Sequence, residues 1–152
     1  MKILMVCLGN ICRSPLAEGI MRYKIKQNNL PVIVDSAGTI SFHVGNSPDK
    51  RSILVAKNHG INISDLVARQ FTVNDFDDYD KIFVMDSSNY SDVVSLARSK
   101  TDKEKVDLIL NTTHPGKNKA VPDPYWGGED GFEEIFRTLD DACDAIIKKL
   151  KP

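Results

Sequence analysis

Cys7 and Arg13 frame the stretch Cys7-Leu8-Gly9-Asn10-Ile11-Cys12-Arg13-Ser14, which lies between an apolar run and the start of a helical pattern. Gly9 and Asn10 are among the residues best able to take positive φ, which turns successive backbone N–H groups toward one centre and makes an anion nest. A helix opening at Ser14 adds the positive end of its dipole. Arg13 closes the cradle with a planar fork that matches two oxygens of a phosphate. The cradle of Leu8, Gly9, Asn10, Ile11, Cys12 and Arg13 is an oxyanion site that needs no metal.

A cysteine ending an apolar strand is ordinarily an inert packing residue. Cys7 instead faces N–H dipoles, a helix N-terminus and a guanidinium, all of which favour the thiolate. Attack of that thiolate on a bound phosphorus would form a phosphocysteine and divide hydrolysis into two displacements. Ser14 can donate its hydroxyl to the sulfur, which favours the thiolate and improves it as the leaving group of the second step. The competing Walker-type phosphate loop needs Gly-Lys-Ser/Thr, which the sequence lacks.

The elements that must position these residues alternate. Lys2 to Cys7 is a continuous apolar run, as expected of a strand buried on both faces. Ser14-Pro15 opens a helix carrying Leu16, Ile20 and Tyr23, with Pro15 at the first helical position, and the helix runs to about Asn28. Val32 to Asp35 reads as a second strand, and Ser36 to Asp49, rich in Gly, Ser and Pro, as a loop. Asp49 caps a helix carrying Ile53, Leu54 and Ala56 that stops at Gly60. A short helix is expected near Thr72 to Asp75 and a third strand over Lys81 to Met85. Next come a helix from Asp86–Ser88 with Val93, Val94, Leu96 and Ala97, and a fourth strand over Val106 to Leu110. Asn111 to Gly128 reads as a long structureless connection, the kind that in compact domains is usually functional or disordered. Gly131 to Leu150 is a last helix with Phe132, Ile135, Phe136, Leu139, Ile146 and Ile147 inward. The pattern predicts a doubly wound α/β sheet, with ligands bound at the carboxyl ends of the strands.

The chain of 152 residues is the size of one domain, expected to span 1–152. Lys and Arg number 20 against 21 Asp and Glu, so no global field attracts nucleic acid or an anionic membrane. Three cysteines, Cys7, Cys12 and Cys143, do not make a secreted disulfide scaffold and fit a reducing compartment. With no apolar run long enough for a membrane span and no signal peptide at Met1-Lys2, the expected location is cytoplasmic.

The sequence resembles the low-molecular-weight protein tyrosine phosphatases over essentially its whole length. The resemblance is carried by CLGNICRSPLAE from Cys7, DSAGT at Asp35 to Thr39, GNSPDKR at Gly45 to Arg51, HGI at His59 to Ile61, ARQF at Ala68 to Phe71, VMDSSN at Val84 to Asn89 and VPDPYWGG at Val121 to Gly128. It implies a four-stranded parallel sheet flanked by helices, the phosphate loop after the first strand, and no cofactor. It also implies Cys7 as nucleophile, Arg13 as phosphate clamp and Asp123 as general acid. Asp123 makes chemical sense by itself: the leaving oxygen needs a proton and the later attacking water must lose one, so one carboxyl can serve both steps. The prolines at 122 and 124 restrict the backbone around it.

Tyr125, Trp126 and Phe42 are the expected aromatic walls of a slot deep enough to favour phosphotyrosine over the shorter phosphoserine. Members of the family resembling phosphoarginine phosphatases carry a threonine where Ile11 stands, so the resemblance implies phosphotyrosine-containing proteins or peptides as partners. A monomer or weak homodimer is expected, with neither nucleic acid nor membrane bound. Cys12 is either a small packing residue or the partner of Cys7 in a reversible disulfide that guards the thiolate from irreversible oxidation; the resemblance supports the second. Cys143 is expected to be inert, His59 structural, and Asp86 a support near Arg13. Many members have a histidine where Leu66 stands, part of a network with the loop asparagine and serine; here Asn10 is expected to be held by Ser14 and Ser36. The rival readings are a phosphoarginine phosphatase, an arsenate reductase on the same fold, which would need further relay cysteines, and a non-catalytic phosphate-binding module.

Overall fold

In the computed structural model, which describes residues 1–125 and 127–152, β1 (Lys2–Cys7) is a central strand of a four-stranded sheet. Its side chains alternate between two apolar clusters. Ile3, Met5 and Cys7 enter one with α1 (Arg13–Gln27) and α6 (Glu129–Leu150), whereas Leu4 and Val6 enter the other with Phe71, Phe76 and Val93. Burial on both faces explains the uninterrupted apolar run.

The strand order is β2-β1-β3-β4, with β2 (Ile33–Gly38), β3 (Lys81–Val84) and β4 (Val106–Leu108) all parallel to their neighbours. After β2 the chain crosses to the other side of β1, so the order reverses there and a crevice opens at the carboxyl ends of β1 and β3. The loop 8–12 lies at that crevice, as the alternation of elements predicts.

Several boundaries differ from the sequence reading. β2 continues through Ser36, Ala37 and Gly38, which pair with Met5, Val6 and Cys7. Their polarity and small size suggest a loop, but pairing with β1 makes them strand. Helix α1 begins at Arg13, which puts Pro15 at its third position, where the missing N–H is still an orphan donor of the first turn. Asp49 caps α2 (Lys50–Asn58) by accepting from the Arg51 N–H, and Gly60 follows with φ +79. The short helix α3 (Asp75–Asp78) begins where it was expected to end. Helix α4 (Ser87–Val94) stops before Leu96, which is exposed, and a polar helix, α5 (Lys100–Glu104), follows. Its signal was the capping pattern Ser99-x-x-Asp102, in which the Ser99 side chain accepts from the Asp102 N–H. The apolar run at 106–110 leaves the sheet after Leu108 and becomes a 3-10 turn, Ile109–Thr112, with Ile109 and Leu110 buried in the cluster of α1 and α6. The inward residues of α6 are those its periodicity selects, with Ala142 and Cys143 added. Among the described residues no helix is long and apolar enough to cross a membrane.

Candidate active site

Cys7, the last residue of β1, is 3% exposed, and its backbone carbonyl accepts from the Thr39 N–H just beyond β2. The next carbonyl, of Leu8, accepts from Ile40, so the end of β2 holds the start of the loop. Gly38 makes this close approach possible: a Cβ there would lie 2.8 Å from the Leu8 oxygen and 3.1 Å from the Asn10 nitrogen. Asn10 takes φ 58, the left-handed turn expected of the nest. Gly9 does not have positive φ; its missing side chain leaves room for His43, whose Cδ2 would stand 2.9 Å from a Cβ.

The Cys7 sulfur receives the Asn10 N–H at 3.3 Å and lies 3.0 Å from Ser14 Oγ. A chain of polar groups behind it sets the direction of that second contact. Asn10 Nδ2 donates to Ser14 Oγ at 2.7 Å and to Ser36 Oγ at 2.9 Å, while its Oδ1 accepts from the Arg69 N–H. Ser36 in turn donates to Glu18 Oε1 at 2.6 Å. With both amide hydrogens of Asn10 spent on the serines, the Ser14 hydroxyl hydrogen is free to point at the sulfur, in preference to its longer 3.5 Å contact with the Ala37 carbonyl. Glu18 also pairs with Arg22 and is 2% exposed; burial pushes its carboxyl up from the ordinary range against the opposing hydrogen bond from Ser36. The sequence reading missed Glu18, because a glutamate one turn into a helix looks like solvated surface. Leu66 packs at the edge of the core, and Asn10 is held by Ser14, Ser36 and the Arg69 backbone.

Arg13 is 2% exposed, and its Nη1 donates to Asp86 Oδ2 at 2.7 Å and to the Val121 carbonyl at 2.9 Å. Asp86 also caps α4 by accepting from the Asn89 N–H. The other terminal nitrogen, Nη2, stands 3.6 Å from Asp123 Oδ2. Asp123 sits in a tight turn, where its Oδ1 accepts from the Tyr125 N–H at 3.0 Å, and the turn is tethered upstream by Val121 N–H donating to the carbonyl of Met85, just past the end of β3. These two bonds act on the same segment whose backbone Pro122 and Pro124 restrict.

Cys7, Arg13, Asp123, Phe42 and Tyr125 line one pocket of about 410 Å³, together with Leu8, Gly9, Ile11 and Cys12. Asn10 faces away from that pocket, into the network under the loop. Phe42 is 81% exposed at the rim, edge-on to His43. His43 and Ile40 complete the wall and went unrecognised in the sequence, since neither carries a motif. Trp126 lies outside the described residues. Cys12 is buried, and burial, reinforced by the charges of Asp49, Cys7 and Asp123, pushes its thiol up to about 12. Cys143 is fully buried in α6 and pushed up further for the same first reason. His59 stacks on Phe136 and bonds Glu133, away from the pocket.

A four-stranded parallel sheet flanked by helices, with Cys7 and Arg13 at either end of the loop that follows its first strand at the topological switch, is the architecture of an α/β domain with an anion-binding crevice. Residues 2–152 match the family described as low molecular weight phosphotyrosine protein phosphatase, and the chain belongs to it. It is 41% identical to the low molecular weight phosphotyrosine protein phosphatase of Homo sapiens, over 97% of this chain and 94% of that one. With the Schizosaccharomyces pombe phosphatase of the same name it shares 40%, over 98% and 96%. The crystal structure of a protein tyrosine phosphatase from Entamoeba histolytica superposes with a TM-score of 0.92 at 41% identity, covering 99% of this chain and 96% of that one. A drosophila arginine phosphatase superposes equally well, at 0.92, with 32% identity over 100% and 99%.

Proposed function

We propose that the protein hydrolyses phosphotyrosine in proteins and peptides through a phosphocysteine. The observation that carries this reading is the Cys7 sulfur, which meets the Asn10 N–H and the Ser14 hydroxyl at the floor of a pocket that also holds Arg13 and Asp123. The phosphoryl group sits in the cradle of loop N–H groups, with Arg13 gathering the charge that spreads over its equatorial oxygens. The Cys7 thiolate attacks phosphorus, the bond to the phenolic oxygen breaks, and Asp123 gives that oxygen its proton. Water then attacks the phosphocysteine, losing a proton to Asp123. The sulfur leaves as a thiolate that the Ser14 hydroxyl stabilises, and inorganic phosphate is released.

The aromatic rings of Phe42 and Tyr125 suit a phenyl group between the cradle and solvent. Ile11, on the pocket wall, favours phosphotyrosine over phosphoarginine by the family's pattern. An arsenate reductase would need a cysteine relay, and Cys143, whose thiol faces the Ala17 carbonyl inside the core, cannot join one. The thiol chemistry fits the reducing cytoplasm, with phosphotyrosine proteins as partners.

The test compares kcat/KM for phosphotyrosine, phosphoarginine and phosphoserine peptides, with arsenate reduction as a control and Cys7→Ser as the inactive reference. Phosphotyrosine should be preferred, and Cys7→Ser should bind inorganic phosphate without turnover. Faster turnover of phosphoarginine would overturn the substrate, and substantial turnover by Cys7→Ser would overturn the nucleophile.

A further inference from the structure

Arg51 belongs to none of the groups that touch the pocket, yet its guanidinium is almost fully committed. Nε and Nη2 grip the two oxygens of Asp49, each at 3.0 Å. Nη2 also donates to the Tyr125 carbonyl and Nη1 to the Gly127 carbonyl, both at 2.9 Å. The plane lies 4.5 Å from the Phe132 ring centroid in the first turns of α6 and 5.8 Å from that of Tyr125. Asp49 faces the opposite way: its backbone N–H donates to the Ile11 carbonyl at 2.8 Å, within the phosphate loop. Asp49 and Arg51 therefore join the loop of the nucleophile to the segment of the acid.

From this geometry we propose that Arg51 is a positioning residue for the Asp123 carboxyl, holding the acid at a fixed distance from Cys7. The proposal rests on the assignment of Asp123 as general acid. The acid's segment is pinned upstream where Val121 donates to Met85 and downstream where Arg51 holds residues 125 and 127, with Asp123 between the two anchors. Asp123 itself is one-third exposed and, among the described residues, is oriented by the 3.6 Å approach to Arg13 and by the Tyr125 N–H. A planar fork can grip a carboxylate and two carbonyls at once, whereas a lysine ammonium, a single point of donation, cannot span them. Misplacement of a reacting group by about 1 Å can cost ~100-fold in rate.

The test measures kcat/KM for phenyl phosphate and p-nitrophenyl phosphate, a poor and a good leaving group, in Arg51→Met, Arg51→Lys and Asp123→Asn, with inhibition by inorganic phosphate alongside. Arg51→Met should lose about 10–100-fold more activity on phenyl than on p-nitrophenyl phosphate, a split in the same direction as that expected of Asp123→Asn and smaller than the ~100–10,000-fold that general acid–base catalysis typically contributes. Phosphate inhibition should stay within about threefold, because the cradle is untouched. Arg51→Lys keeps the charge and the apolar stem and should show the same split at smaller size, which serves if the methionine variant folds poorly. Equal losses on both substrates in both Arg51 variants, with the split intact in Asp123→Asn, would overturn the positioning role and leave the acid assignment standing. A split missing from Asp123→Asn would overturn both.

Discussion

Arg13 and Asp86 meet at 2.7 Å with the arginine almost wholly removed from solvent, so the guanidinium is aimed by a carboxylate on another element before any substrate arrives. A buried guanidinium requires such a partner, because removing one member of a buried pair leaves a charge without compensation. Asp86 is a quarter exposed, which reduces that penalty, but it also caps α4.

Asp86→Ala should therefore lose stability through both roles, by about 2–4 kcal/mol, read from urea unfolding. Its inhibition constant for inorganic phosphate should rise by ~10-fold or more, since Arg13 loses its 2.7 Å partner and keeps the Val121 carbonyl and the 3.6 Å approach of Asp123. Unchanged phosphate inhibition would show that Arg13 is aimed by the backbone alone.

Gly38→Ala should damage catalysis more than folding. The added Cβ meets only backbone, the Leu8 oxygen at 2.8 Å and the Gly9 carbon at 3.0 Å, so the phosphate loop itself must give way. A stability loss of about 1–3 kcal/mol is expected from overpacking, with a fall in kcat/KM of ~10–100-fold from the displaced N–H groups. Full activity in a folded variant would mean that the loop adjusts without cost.

Oxidation tests the second cysteine. If Cys12 guards Cys7, peroxide should oxidise Cys7 to a sulfenic acid, and Cys12, as thiolate, should then attack that sulfur, expel hydroxide and close a disulfide with a net loss of two hydrogens. Burial, the first cause of the raised Cys12 value of about 12, persists through this reaction, whereas the charge of Cys7 is gone. Below that value the Cys12 thiolate fraction grows about tenfold per pH unit, so disulfide closure should accelerate from pH 6 to pH 8 and trapping of the sulfenic acid by dimedone should decline. Closure at a rate independent of pH, or equal recovery with thiol in Cys12→Ser, would remove Cys12 from this role.

What the sequence revealed and what it hid divide along a physical line. β1 was legible because burial on both faces leaves an unbroken apolar run, and the phosphate loop because its chemistry is confined to consecutive residues. Ser36 to Gly38 were hidden as strand, since small residues under a loop carry no apolar signature. Ile109 and Leu110 were misplaced because an apolar run does not say whether it continues a strand or turns into the core. Arg51 was hidden for another reason: besides Asp49 its partners are the carbonyls of Tyr125 and Gly127, and a backbone acceptor leaves no mark on residue type. Glu18 needed Ser36, on a different element, to acquire meaning.

Parallel pairing of β1 with β3, and the reach of Arg13 to Asp86, Val121 and Asp123, make this a centre of widely separated parts. During synthesis Asp123 emerges 116 residues after Cys7, a delay of roughly 6–23 s at ~5–20 residues per second. Asp86 emerges partway through that interval and Asp123 at its end, so a nascent chain carries the thiol before it carries the carboxylates that complete the site.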